Sequence, residues 1–232
     1  MEIFSYDSTP KEEVSCAICS GRSFFTLSKI SKNNLDVRTV MCKKCGLIFI
    51  TPRMTAKSYD DYYKYFYRKD RSEIKGTKGT KGDIEQNFKG ALRFGRALGV
   101  LFKTFLHPGL TIDVGSSTGG VLAGLKEVEP RLNIFGVEPS LEESEYANVH
   151  GIKTTRAIFE DFVREDKTPP LAANIFCVQS LNHLLAPCEF LEWAYLKLEN
   201  GGHIFLVVKN FLHQVRRAGS ISAGVQIDHP YM

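Results

Sequence analysis

From Leu110 onward, short apolar runs alternate with stretches in which apolar residues recur every three or four positions. The runs 110–114, 133–138, 152–155, 172–179 and 203–209 read as buried strands. After the first, Val121, Leu122, Leu125 and Val128 fall at helical spacing. After the fourth, Leu184, Leu185, Phe190, Leu191 and Tyr195 do the same, with Pro187 at a turn before the helix. Glu199-Asn200-Gly201-Gly202 stops that helix and turns the chain. Strands alternating with crossover helices predict an α/β fold, a doubly wound and mostly parallel sheet. Such sheets bind ligands at the carboxyl ends of their strands, near the switch in strand order.

Upstream the rhythm differs. Residues 1–52 carry cysteines and short strand-like runs such as Leu47-Ile48-Phe49-Ile50. Residues 53–108 read as a helical connector rich in aromatics and lysine, and residues 109–232 as the α/β domain. Inside the connector, IKGTKGTKGD at 74–83 is too polar to order itself and predicts a mobile loop. Tyr59, Tyr62, Tyr63, Tyr65, Phe66 and Tyr67 form either a substrate lid or a docking helix, and docking is the reading favoured for most of them.

Composition narrows the class. With 43% hydrophobic and 24% charged residues, the chain is that of a globular protein, and its net charge of +4 does not by itself imply nucleic acid. No apolar run approaches the ~20 residues that span a bilayer. The opening MEIFSYDSTPKEEVSC lacks the basic start and apolar run of a signal peptide, so the expected compartment is the cytoplasm. Charge is uneven: Lys64 to Lys103 holds 11 Lys/Arg against 4 Asp/Glu. That stretch fits an acidic partner, a sugar nucleotide or RNA, or else a solvated face.

Ile112-Asp113-Val114-Gly115-Ser116-Ser117-Thr118-Gly119-Gly120 joins the first strand to its helix. A phosphate loop needs Lys and Ser or Thr after its last glycine, and Val121 follows here. The dinucleotide fingerprint needs glycine where Ser117 stands. What remains is a tight turn led by Asp113, with Gly115 and Gly119 letting backbone approach a ligand. Glu138 ends the next strand, where a carboxylate can grip both hydroxyls of a ribose. Taken singly, these are turn glycines and a solvated strand end; together they favour a nucleoside ligand.

On these residues the chain resembles class I S-adenosylmethionine-dependent methyltransferases from about 110 to 210. IDVGSSTGG resembles their first motif, FGVEPS their second, NIFCVQSLNHLLAP their fourth strand and following loop, and LENGGHIFLVV the turn into their fifth strand. The resemblance implies that Asp113, Gly115, Ser117 and Gly119 surround the methionine part of the cofactor. It implies that Glu138 holds the ribose beside Pro139 and Ser140. Glu160 or Asp161 would meet the adenine amine with Phe162 nearby, and Gln179 would border the methyl group. The chain departs from the pattern where Ser117 replaces a glycine, where Asn174 and Asn182 replace acids, and where LENGG lacks proline.

Cys16-x-x-Cys19 and Cys42-x-x-Cys45, with 22 residues between the pairs, predict a tetrahedral four-thiolate zinc site, structural because no position is left open. Disulfides are the competing reading, disfavoured where thiols stay reduced. Cys177 and Cys188 read as small buried hydrophobes. The order of ribbon, CGLIFITPRM, aromatic stretch and α/β domain resembles bacterial methyltransferases with an N-terminal zinc-binding domain. That resemblance implies a sugar, nucleotide-sugar or surface-polysaccharide acceptor. RNA methylation and a non-catalytic binding module are the alternatives.

Methyl transfer to a hydroxyl needs an aligned nucleophile and a general base. His183 matches the histidine of the family's L-E-H, and His229 follows the fifth strand; either is a base or a structural histidine. Class I methyltransferases usually close the sheet with two more strands. About 20 residues follow the fifth strand here, too few for a helix and hairpin. The expectation is a fragment lacking that hairpin, with the edge HIFLVVKN open to a partner chain.

Overall fold

The computed structural model describes residues 4–67, 81–164 and 170–232. Residues 74–80 of the expected loop, and much of the basic stretch, lie outside them, while Lys81 to Asp83 open a helix. The described chain divides into two compact units: Met1–Tyr59 with Leu181–Glu189 and Val208–Met232, and Asp60–Ser180 with Phe190–Val207.

In the first unit, β1 (Lys11–Glu12) pairs antiparallel with β5 (Arg53–Met54), and β2 (Phe24–Ile30), β3 (Asp36–Cys42) and β4 (Ile48–Ile50) form an antiparallel sheet. Its core gathers Cys16, Val40, Cys42, Phe49 and Tyr231. The last of these comes from the chain's end, which lies along β4: Ile50 N donates to Pro230 O (2.9 Å) and Met232 N to Ile48 O (3.0 Å). Helix α1 (Ala56–Tyr65) follows β5. From its aromatic run Tyr59, Tyr62 and Tyr63 are buried and Tyr65 is exposed.

The second unit is a five-stranded parallel sheet in the order β10-β9-β6-β7-β8, made of β6 (Gly109–Val114), β7 (Leu132–Val137), β8 (Thr154–Thr155), β9 (Ala172–Val178) and β10 (Leu198–Val207). Each expected strand is present. The order reverses between β6 and β9, so the mouth of the sheet lies at the carboxyl end of β6, where the glycine turn begins.

Crossovers run through α3 (Gly120–Val128), α4 (Leu141–Val149), α5 (Phe159–Arg164) and α6 (Pro187–Lys197), with α7 (Phe211–Ala218) beyond β10. Pro187 is the first residue of α6, where its missing N–H costs nothing, so Leu184 and Leu185 precede the helix. Gly201 takes φ +81° at the bulge where Glu199 to Gly202 enter β10.

The α2 helix (Lys81–Leu101) packs on α3 through glycines at four-residue spacing: Gly95 and Gly99 lie against Val121 and Val128, and Gly120 and Gly124 against the Phe88 to Arg96 stretch of α2. A Cβ on Gly124 would fall on the Leu92 carbonyl and 2.6 Å from Arg96 N, so the two backbones touch. Arg96 on α2 and Glu127 on α3 form an ion pair across the same seam. Among the described residues, no helix is long and apolar enough to cross a membrane.

Candidate cofactor site and histidine cluster

Three residues after β6 lie in the left-handed region: Gly115 (φ +80°), Ser117 (φ +50°) and Gly119 (φ +76°). This coils the turn so that α3 starts beneath the strand end. Gly115 admits no side chain, because a Cβ would meet the Ser180 hydroxyl. Ser117, where the resemblance has glycine, holds a backbone region that costs an L-residue ~1 kcal/mol or more. Two hydrogen bonds offset that cost. Ser117 N donates to Glu138 Oε2 (2.8 Å), and Ser117 Oγ donates to Glu143 Oε2 (2.7 Å), a bond no glycine can make.

Glu138 ends β7 and is buried, its other oxygen accepting from Ser140 N at 2.8 Å. Each oxygen keeps a lone pair for a further donor. Burial, with Glu143 nearby, pushes its carboxyl up to about 8 against the two N–H bonds. Asp113 is buried at the carboxyl end of β6, pushed up to about 8 by burial alone. Its Oδ1 has no hydrogen-bond partner among the described residues. A buried acceptor without a donor beside a coiled turn suits an incoming amine.

The other expected residues take varied places. Pro139 and Ser140 lead into α4, with Ser140 as its N-cap. Glu160 and Asp161 sit in the first turn of α5, and Asp161 Oδ1 accepts from Arg164 Nη1 at 2.8 Å. Phe162 is fully buried, its ring against Phe135 and Trp193. Gln179 is exposed just past β9 with φ +57°, its N–H donating to Val207 O at 2.7 Å.

The four cysteines meet. Cys16 Sγ lies 3.3 Å from Cys45 Sγ and Cys19 Sγ 3.5 Å from Cys42 Sγ, with all four sulfurs within 4.8 Å of one another. Sulfurs around a tetrahedral zinc at ~2.3 Å stand just under ~4 Å apart, so the donor set fits that ion. The two knuckles are built alike. Ser20 N donates to Cys16 O and Gly46 N to Cys42 O, and both residues are left-handed. The backbone N–H of Cys45, with that of Lys44, draws the Cys42 thiol down to about 6 against burial. Cys19 and Cys45 are pushed the other way, so the close-set sulfurs favour one thiolate over the rest.

His183 and His229, distant in sequence, come together. Their rings cross at 79° with centroids 4.3 Å apart. Asp228 Oδ2 lies 3.8 Å from His183 Nδ1 and 3.9 Å from His229 Nε2, close enough to stabilise an imidazolium on either ring. Lys209 Nζ lies 3.4 Å from His229 Nε2. Asp228, Lys209 and Glu143 escaped sequence reasoning; only Asp228, adjacent to His229, carried a local signal.

Several solved structures are similar to parts of this chain at low identity. One is the plantazolicin methyltransferase BpumL in complex with a pentazolic desmethylPZN analogue and SAH (18% identity, 75% of this chain and 70% of that chain, TM-score 0.49). Others are DesVI of Streptomyces venezuelae (14%, 58% and 59%, 0.46) and the sugar N-methyltransferase KedS8 from a Streptoalloteichus species (19%, 53% and 49%, 0.41). A search of curated proteins finds no match. Residues 88–230, more than half of the chain, match the family described as methyltransferase domain, and the chain belongs to that family.

Proposed function

We propose that the protein transfers a methyl group from S-adenosylmethionine to a sugar or nucleotide-sugar acceptor, on oxygen or carbon. The observation that carries the cofactor reading is the left-handed turn at Gly115 to Gly119 between two buried carboxyls, in a chain of the methyltransferase family. Asp113 would take the amine of the methionine part, and Glu138 would accept the ribose hydroxyls on the lone pairs its N–H partners leave. Bound there, the cofactor supplies an electrophilic methyl group on a sulfonium. The His183–Asp228–His229 cluster would take the proton lost by the acceptor, with Asp228 stabilising the imidazolium. Zinc on Cys16, Cys19, Cys42 and Cys45 would staple a segment too small to hold its own core. The sugar acceptor is supported by the sequence order alone, the ribbon followed by CGLIFITPRM.

Calorimetric titration with S-adenosylmethionine and S-adenosylhomocysteine tests the cofactor reading. Glu138→Ala is expected to weaken both by about tenfold or more, the worth of a charge-assisted hydrogen bond. A folded protein that binds neither would overturn it. Methyl transfer to RNA with none to a panel of sugars and sugar nucleotides would overturn the acceptor.

A further inference from the structure

The two histidines stand on separate segments, 181–189 and 227–231, and one tyrosine fastens both to the ribbon. The Tyr231 ring is buried in the ribbon core, in the same apolar cluster as Phe49 and two of the four cysteines, Cys16 and Cys42. Its hydroxyl donates to Leu185 O at 3.0 Å, and its N–H donates to Asn182 O at 3.3 Å. Both acceptors belong to the segment that carries His183. Arg53, on β5, doubles the fastening: Nη1 donates to the same Leu185 carbonyl at 2.8 Å and to the Tyr231 hydroxyl at 3.1 Å. Glu12 on β1 holds that guanidinium in place, 3.1 Å from its Nε. On the other segment Tyr59 Oη donates to Ile227 O at 3.0 Å, just ahead of Asp228.

Each imidazole is therefore reached within two residues by a bond from the ribbon unit. A cysteine ribbon that served only to staple itself would need none of these bonds to chain more than a hundred residues away. Arg53 gives the Leu185 carbonyl a charge-assisted bond, stronger than the neutral one from Tyr231. Two donors on one carbonyl fix the turn after His183 in direction as well as place.

We propose that Tyr231 and Arg53 are positioning residues that fasten the His183–Asp228–His229 cluster to the cysteine ribbon, making the ribbon the scaffold of the base. This rests on the reading that the histidine pair serves methyl transfer. The fastening itself is a statement about the imidazoles and can be read without any acceptor.

Tyr231→Phe keeps the ring in the ribbon core and removes the hydroxyl that donates to Leu185 and accepts from Arg53. Long-range proton–nitrogen NMR of the zinc-loaded full chain reads the tautomer and titration midpoint of each imidazole. In Tyr231→Phe the midpoints of His183 and His229 are expected to move by about half a pH unit or more, while S-adenosylhomocysteine affinity stays within about twofold of wild type. Arg53→Lys, which keeps the charge but loses the planar fork, is expected to move them less than Arg53→Ala. Unchanged imidazoles in Tyr231→Phe and Arg53→Ala would overturn the proposal. So would imidazole shifts that arrive only with exposure of Trp193, because the effect would then be global unfolding. If wild type binds no S-adenosylhomocysteine, the cofactor reading falls, and the imidazole shifts still decide the fastening.

Discussion

Asp113 and Glu138 are carboxyls that burial keeps protonated well above the usual range, Asp113 from 3.8 and Glu138 from 4.5, each to about 8. A folded state with raised carboxyl pKa values holds more protons than the unfolded chain between those limits. The stability this supplies is complete below about pH 4 and is lost as pH rises toward about 8. In the proposed binding mode a cationic sulfonium and amine beside these groups would favour their ionised forms, so binding would release protons. Affinity for S-adenosylmethionine is therefore expected to rise from pH 6 to pH 8. S-adenosylhomocysteine, whose sulfur is neutral, should gain less. Calorimetry in buffers of different ionisation enthalpy counts the protons, and equal pH dependence for the two ligands would rule the sulfonium out as the cause. Asp113→Asn should flatten the slope for both.

The same scale explains a departure from the family pattern. Asn174, where the pattern has an acid, is buried. It donates to His107 O (2.7 Å) and Thr111 Oγ1 (2.9 Å) while accepting from His107 N (3.1 Å). An ionised acid has no proton to donate to that carbonyl, so only an amide satisfies the site.

Elements were largely legible because their apolar runs are unambiguous. The five strands and α3 stand where the pattern 110–114 through 203–209 places them, since buried parallel strands need continuous apolar residues. The seam between α2 and α3 was not legible, because its signal is an absence of side chains: Gly95, Gly99, Gly120 and Gly124 add nothing to a hydrophobic period. At the site, the glycine turn, both acids and the cysteines carried motifs. Glu143 and Lys209 acquire meaning only through contacts to residues 26 and 20 positions away.

The seam yields a prediction of its own. Gly124→Ala must push the two helices apart, and is expected to destabilise the protein by about 1–3 kcal/mol despite alanine's better helix propensity. At Gly90 on α2 an added methyl group would meet nothing within 4 Å, so Gly90→Ala should stabilise by about 0.5–1 kcal/mol. Urea unfolding followed through Trp193 measures both, and equal effects would sink the packing argument.

At the scale of the molecule, the two compact units draw on different resources. The Asp60–Ser180 and Phe190–Val207 unit has an apolar core of its own, Leu98, Leu125, Leu132, Phe176 and Phe205 among others. The unit with the ribbon has a small cluster that includes two cysteine side chains, and a core of that size needs a staple. The chain's single tryptophan, Trp193, is buried in the former, whereas Tyr6, Tyr59 and Tyr231 are buried in the latter. Chelation of the proposed zinc is therefore expected to collapse the near-ultraviolet signal of those tyrosines and merge the His183 and His229 resonances with those of unfolded histidine. Trp193 emission and S-adenosylhomocysteine affinity should hold. Because ligand bound only to the folded state adds stability by mass action, S-adenosylhomocysteine should also raise the Trp193 transition and leave the tyrosine transition in place. If chelation quenches both chromophores together, the units fold as one and the ribbon supports the cofactor site as well as the histidines. If it disturbs neither, the four thiolates hold no metal that the fold requires. Only the split outcome makes the ribbon the carrier of the base and the sheet the carrier of the cofactor.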